Sequence, residues 1–139
     1  MEIKKEVQET IIQNQNNGKV SEDELFNILR TIAPGTNLRM ALDGTLKAGK
    51  GALIVVENEK LPSLLDGGFR VNCIFTHQRL VELTKMDGAI ILSKDMKRIN
   101  LANVQLNPES KIKTLETGTR HKAAERTAKQ AGCLVIAIS

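Results

Sequence analysis

Short apolar runs alternate with helix-like stretches from Gly51 onward, and this alternation limits the chain to a few fold classes. Ala52–Val56 is wholly apolar and follows a glycine, which is typical of a buried strand. Gly88–Ser93, Lys97–Ala102 and Cys133–Ile138 are further strand candidates, and a weaker one begins with two glycines at residue 67. Because helical patterns lie between these runs, we expect a single α/β domain with a central mixed β-sheet flanked by helices.

Four other segments have the periodicity and the end signals of helices. Ser21–Glu24 fits a capping box, Pro34 ends the helix that follows, and Thr76 can cap a later one. The predicted helices span about residues 21–33, 37–48, 76–85 and 120–130. We expect residues 21–139 to form the domain, and residues 1–20 to form a helical or flexible N-terminal appendage that ends in an Asn/Gln patch.

The composition favours a small cytoplasmic protein. No apolar run approaches the roughly 18 residues of a membrane span, and the charged N-terminus is unlike a signal peptide, so we expect no membrane association. Cys73 and Cys133 lie in separate apolar runs, which indicates buried thiols rather than a disulfide. With a net charge of +4 and 2% aromatic residues, the chain suits a phosphate-bearing ligand better than stacked nucleic acid bases.

A glycine-containing loop runs directly into a strongly basic helix start. Unpaired N–H groups and the helix dipole favour an anion at such an end, so a phosphate ligand explains basic residues that the dipole alone disfavours. The alternatives are a well-capped helix with solvated charges and, for the histidine, an ordinary surface or core residue. The segment consists of Glu116, Thr117, Gly118, Thr119, Arg120, His121 and Lys122.

Asp87 stands immediately before an apolar strand and is followed by Gly88 and Ala89. An Asp-Gly pair in this position is more often a turn than a catalytic site. A functional Asp87 would lie at the lip of the sheet, where it could bind a divalent metal and lower the pKa of a ribose hydroxyl. Gly88 would then let a nucleotide approach the backbone. These three residues alone leave both interpretations open.

Together the two elements resemble the diadenylate cyclase (DAC) domain of the DisA family of DNA-integrity scanning proteins. Asp87–Ala89 matches the Asp-Gly-Ala motif of that family, and Thr117–His121 matches the start of its Arg-His-Arg motif. The resemblance covers about residues 24–139. It also includes Ala33–Thr36, Gly67–Phe69, Ala102–Leu106 and Ala124–Arg126.

The resemblance implies an enzyme that joins two ATP molecules into the second messenger cyclic di-AMP and releases two pyrophosphates. It implies that Asp87, Gly88 and Ala89 form the catalytic element, with Asp87 as the ligand of Mg²⁺ or Mn²⁺. It also implies a face-to-face homodimer, or a higher homo-oligomer, in which each protomer holds one ATP. The implied ATP-binding residues are Gly88, Leu106, Thr117, Gly118, Thr119, Arg120, His121, Lys122 and Ala123.

The sequence departs from the family pattern in two places. Lys122 and Ala123 replace the usual Arg and Thr, which removes a guanidinium and a hydroxyl, so weaker or slower ATP handling is expected. The sequence also stops at Ser139, where the family continues with an Arg-rich segment and a helix-hairpin-helix DNA-binding domain. We therefore expect a C-terminally truncated DAC domain, either a fragment or a minimal natural version, that does not bind DNA.

Three functions remain open from the sequence. The leading one is a metal-dependent diadenylate cyclase. The second is a non-catalytic module that binds ATP or cyclic di-AMP, which the replacements at residues 122 and 123 favour. The third, a small basic domain that binds nucleic acid, is the least favoured because the basic residues are scattered and aromatic residues are nearly absent.

Overall fold

The wholly apolar runs form the centre of the sheet in the computed structural model, which describes residues 22–138. Strand β1 (Ala52–Val56) pairs in parallel with β4 (Ala89–Leu92), as the register of Leu53 with Ala89 shows. It pairs antiparallel with β6 (Val135–Ile138) on its other side. β4 and β6 are buried along their whole length, which explains why their sequences lack the alternation of a half-exposed strand.

The remaining strands extend the sheet on the side of β4. β5 (Arg98–Leu106) lies antiparallel beside β4, and both β2 (Leu65–Asp66) and β3 (Phe69–Ile74) pair antiparallel with the far edge of β5. The strand order is therefore β2 and β3 together, then β5, β4, β1 and β6. One parallel pair among antiparallel pairs makes a mixed sheet, so the predicted fold class is confirmed.

Helices cover both faces of this sheet. The chain order begins with α1 (Glu22–Thr31) and α2 (Asn37–Lys47), continues with α3 (His77–Leu83) after β3, and ends with α4 (Thr119–Ala131) before β6. Successive residues of β1 point to opposite faces. Ile54 therefore packs with α2 and α3 in one core cluster, while Val55 packs with α4 in the other.

Local end signals explain where the helices start and stop. The hydroxyl of Thr36 accepts a hydrogen bond from the Arg39 N–H at 3.2 Å, and Thr76 caps α3 through the Arg79 N–H at the same distance. Gly132 ends α4 in the left-handed conformation, with φ of 68°. These three end signals are confirmed. The predicted capping residue Ser21 and the appendage of residues 1–20 lie outside the described residues.

The structure differs from the prediction in the segment before β3 and at the end of β5. A 3-10 helix (Leu61–Leu64) and β2 were not predicted, because neither is long enough to show a period in the sequence. β5 continues to Leu106 instead of ending at residue 102, and its register with β4 shifts along the way. No helix within residues 22–138 has the length and apolar character needed to cross a bilayer.

Candidate nucleotide-binding site

A groove of about 860 Å³ opens between the first turn of α4 and the end of the sheet formed by β2, β4 and β5. It brings together most of the site residues predicted from the sequence, although the two segments that carry them are separate in the chain. The predicted residues that line it are Asp87, Gly88, Leu106, Thr117, Gly118, Thr119, Arg120, His121 and Ala123.

Two predicted site residues lie elsewhere. Ala89 is completely buried in β4, on the face that packs against α4, so it supports the strand beneath the groove. Lys122 is exposed and is absent from the groove lining, whereas its neighbour Ala123 is part of it. The helical twist separates the two residues, because adjacent positions on a helix point in different directions.

The first turn of α4 has no side-chain cap. Gly118 occupies the N-cap position with φ of 89° and carries no hydroxyl or carboxylate that could accept from the helix, and the first turn contains no acidic residue. The expected alternative of a well-capped helix is therefore wrong. Backbone N–H groups that would otherwise be satisfied by a cap are available to an anion in the groove.

Arg120 belongs to this first turn, and its side chain reaches the end of β6. Its Nη1 atom donates to the carbonyl oxygen of Ile138 at 3.1 Å. A Cβ atom at Gly51 would lie 2.0 Å from the same nitrogen, so the absence of a side chain there makes room for the guanidinium. Sequence reasoning placed Gly51 only at the turn before β1 and gave it no role in the site, since nothing local to that glycine indicates a contact with a helix so much later in the chain.

The turn at Asp87 and Gly88 packs closely against β5. Asn103 donates from Nδ2 to the carbonyl oxygen of Asp87 at 2.7 Å. Gly88 has φ of 92°, and a Cβ atom there would lie 2.9 Å from the carbonyl oxygen of Val104. Glycine is needed here for its backbone conformation and for the close approach. The Asp87 residue itself is exposed and lines the groove.

A second glycine turn approaches β5 from the opposite side. Gly68 has φ of 80°, and a Cβ atom there would lie 2.7 Å from the carbonyl oxygen of Ala102. Gly67 and Asp66 also line the groove, as do Asn103 and Gln105 on β5. Sequence reasoning did not place these residues in the site. The available sequence signal was the adjacent glycine pair. It indicated the start of a strand, but not that the turn would line the groove.

An acidic side chain in the groove suits a cation that binds the protein and the phosphates of a ligand at the same time. Within residues 22–138 there is no group of three or more His, Cys, Asp or Glu side chains that could form a complete protein cage for a metal. Mg²⁺ commonly binds through one or two carboxylates together with substrate phosphates and water. Asp87, which lines the same groove as the anion-favouring start of α4, fits that kind of shared coordination.

Comparisons with known proteins show the family to which the chain is related. Residues 39–139 match the family model of DAC, described as the DisA bacterial checkpoint controller nucleotide-binding domain. The DNA integrity scanning protein DisA of Acetivibrio thermocellus is 56% identical over 119 residues, which cover 85% of this chain and 33% of that protein. DisA of Bacillus thuringiensis is 53% identical over 116 residues, covering 83% of this chain and 32% of that protein.

A solved structure has a similar fold. A crystal structure described as a hypothetical membrane spanning protein from Bacillus cereus matches with a TM-score of 0.66 and 25% identity, over 84% of this chain and 66% of that one. This chain spans about a third of the length of the two DisA proteins it resembles. The family match includes both the Asp87 turn and the start of α4. The chain therefore belongs to the DAC family, the nucleotide-binding domain family of DisA.

Proposed function

We propose that this chain is a metal-dependent diadenylate cyclase that condenses two ATP molecules into cyclic di-AMP and releases two pyrophosphates. The observation that carries the proposal is the shared groove, which is lined both by the carboxylate-bearing turn at Asp87 and Gly88 and by the uncapped start of α4. A nucleoside triphosphate needs both features, because its phosphates require donors and its reacting hydroxyl requires activation.

The residues of α4 would bind the phosphates of one ATP. The first N–H groups of the helix and the hydroxyls of Thr117 and Thr119 would donate to phosphate oxygens, and Arg120 and His121 would add positive charge. Leu106 is buried at the edge of the groove and would pack against the adenine. Gly88, which has no side chain, would let the nucleotide lie close to the backbone.

Asp87 would activate the attacking hydroxyl. It would hold Mg²⁺ or Mn²⁺, and the bound ion would supply the positive charge that acidifies a ribose 3′-hydroxyl. The 3′-oxygen of each ATP would lose its proton to solvent and form a bond to the α-phosphorus of the other, and each pyrophosphate would leave with the electron pair of the bond that breaks. Most of the rate enhancement would come from positioning and charge neutralisation.

One groove supplies one phosphate-binding helix start and one Asp87, whereas the reaction needs two activated hydroxyls and two bound triphosphates. We therefore propose a homodimer, face to face or within a higher homo-oligomer, in which each protomer presents one ATP to the other. We also propose that the protein acts in the cytoplasm, where ATP is available. DNA binding is not part of the proposed function of this chain.

The second candidate is a module that binds ATP or cyclic di-AMP without catalysis. One observation favours it: Ala123 lines the groove but has no polar side-chain atom. The family resemblance implies that a Thr is usual at this position. A site that lacks this donor could hold a nucleotide without orienting it for attack. The two candidates differ in whether the purified chain makes product.

The test is incubation of the purified chain with ATP and Mn²⁺ or Mg²⁺ at high protein concentration, with cyclic di-AMP detected by mass spectrometry. We expect product from the parent and from Asp43→Asn, a matched change at an exposed Asp on α2. We expect none from Asp87→Asn, which should still bind ATP. ATP binding without product from the parent would favour the second candidate, and equal product from Asp87→Asn would refute the role of Asp87.

A further inference from the structure

The linker of residues 107–118, which joins β5 to α4, is fastened along that helix by helix side chains. Arg126 donates from Nε to the carbonyl oxygen of Ile112 at 2.9 Å. Lys129 donates from Nζ to the carbonyl oxygen of Lys113 at 3.1 Å. A linker held in this way follows one path along α4. This path ends at Thr117, where the linker enters the groove.

Glu125 makes the last of these ties before the groove. It is only 5% exposed, and its carboxylate accepts hydrogen bonds from the Thr114 hydroxyl and from Lys129, whose Nζ atom lies 2.9 Å away. Thr114 in turn accepts from the Glu116 N–H at 3.0 Å. The chain of contacts therefore runs from a buried carboxylate on the helix to the backbone of the residue before Thr117.

The charge of Glu125 fixes the direction of these bonds. Burial acts to raise the pKa of this carboxyl, but hydrogen bonds from Thr114 and Lys129, the positive charge of Lys129 and a backbone hydrogen bond from Leu115 outweigh it. The net pKa therefore lies below the ordinary value of 4.5. An ionised carboxylate only accepts hydrogen bonds. The Thr114 hydroxyl must therefore donate to it, which leaves a lone pair of that oxygen for the Glu116 N–H.

We propose that Glu125 is a positioning residue for the nucleotide: through Thr114 it holds the linker so that Thr117 and Gly118 face the phosphates. Glu125 does not line the groove, so it would act on the ligand only through the linker. The inference rests on the proposed function, because it assumes that ATP occupies the groove. It adds a residue outside the groove to the set that determines ATP affinity.

The principal variant is Glu125→Gln, which keeps the shape of the side chain but replaces one acceptor by a donor. The new amide N–H₂ group would face either the Thr114 hydroxyl or Lys129, both of which donate in the parent. We expect the dissociation constant for ATP, measured by calorimetry with Mg²⁺ present, to rise about tenfold. In turnover assays KM should rise more than kcat falls, because the residue acts on binding.

A double-mutant cycle tests whether the effect passes through Thr114. Thr114→Val removes the hydroxyl that links Glu125 to the Glu116 N–H. We expect this variant also to weaken ATP binding, and the double variant to lose less than the product of the two single factors, because both changes act on the same linker. The control is Glu109→Gln, the same change at an exposed glutamate of the same linker, which should leave ATP affinity unchanged.

Amide hydrogen exchange separates positioning from general stability. In Glu125→Gln we expect faster exchange in residues 114–118 and parental protection in β1 and β4. Loss of protection throughout the sheet, ATP affinity equal to that of the parent, or additive effects in the cycle would each overturn the inference while leaving the cyclase proposal intact. A parent chain that binds neither ATP nor cyclic di-AMP would refute the proposed function and the inference with it.

Discussion

The guanidinium of Arg120 occupies the space in which a side chain at Gly51 would lie. A Cβ atom on Gly51 would be 2.0 Å from Nη1 of Arg120 and 2.8 Å from the carbonyl oxygen of Ile138, the acceptor of the guanidinium. The backbone of Gly51 is outside the left-handed region, so glycine is required there for space rather than for conformation. Gly51, directly before β1, thus determines where the side chain of Arg120, a predicted phosphate-binding residue, can lie.

The first prediction follows from this contact. Gly51→Ala should displace Arg120 from Ile138 and weaken ATP binding roughly fivefold, because a guanidinium binds phosphate well only in a fixed orientation. Binding is measured by calorimetry on protein whose thermal unfolding has been recorded. Gly44→Ala on α2 is the matched control, since its Cβ would meet Val81 at 2.9 Å on the other face of the sheet. Parental affinity in Gly51→Ala would contradict the prediction.

The second prediction compares two glycines with nearly the same backbone φ. Gly88 has φ of 92° and Gly35 has φ of 91°, but a Cβ atom at Gly35 would meet nothing within 4 Å, whereas one at Gly88 would meet β5 at 2.9 Å. Both alanine variants carry backbone strain of about 1–3 kcal/mol. Gly88→Ala should lose at least about 1 kcal/mol more, because it also forces two backbones apart.

Urea unfolding of the two variants gives this difference directly. Equal losses would mean that the turn at Asp87 can move away from β5 without cost. The groove would then be more adaptable than the contacts of Asn103 and Val104 indicate. ATP binding gives a second readout, since Gly35 lies in the loop between α1 and α2, outside the groove lining, and its variant should bind as the parent does.

The central strands and the helix ends could be predicted from the sequence because their signals are local. β1, β4 and β6 are short apolar runs, and Thr36 and Thr76 cap their helices through backbone donors three residues away. β2 could not be predicted, because two residues carry no period and its existence depends on pairing with the end of β5.

The groove was partly predictable because several of its residues form local sequence patterns. Thr117 to His121 and Asp87 with Gly88 are local patterns, and the family resemblance placed them in one site. Gly51 and Glu125 were not assigned to it, because their importance comes from partners that only the fold brings near: Arg120 for the first and Thr114 for the second. Lys122 was expected at the site, but the helical twist directs it away from the groove.

The third prediction concerns the two thiols. Cys133 is 4% exposed, and burial raises its pKa to about 11, whereas Cys73 is only half-buried. The thiolate is the reactive form, so only roughly a thousandth of Cys133 would be reactive at pH 8. Iodoacetamide should therefore label Cys73 in the folded chain and Cys133 only after unfolding in urea. Intact-mass measurement gives the label count, and Cys73→Ser should remain unlabelled when folded.

The same shift gives a pH dependence with a definite sign. The folded chain retains the Cys133 proton up to about pH 11, while the unfolded chain loses it near the ordinary value of 9.0. The folded state then binds more protons, so stability should fall as the pH rises between these values. Cys133→Ala should reduce this alkaline slope in urea titrations. An unchanged slope would indicate that other groups cause it.

The last prediction separates the two replacements at the start of α4. Ala123 lines the groove and Lys122 does not, so a hydroxyl added at residue 123 can reach a phosphate while an altered charge at residue 122 cannot. Ala123→Thr should strengthen ATP binding roughly three- to tenfold, as expected for one hydrogen bond to a charged group. Lys122→Arg should leave the affinity within about twofold of the parent, since an exposed charge contributes little.

Calorimetry on the two single variants and on the double variant decides this point. The double variant should match Ala123→Thr alone, because residues that share no partner contribute independently. A β-branched residue also lowers helix propensity slightly, which makes any gain in affinity at residue 123 a lower limit for the hydroxyl. Stronger binding from Lys122→Arg alone would show that this residue turns toward the phosphates when ATP is bound, and would restore it to the site.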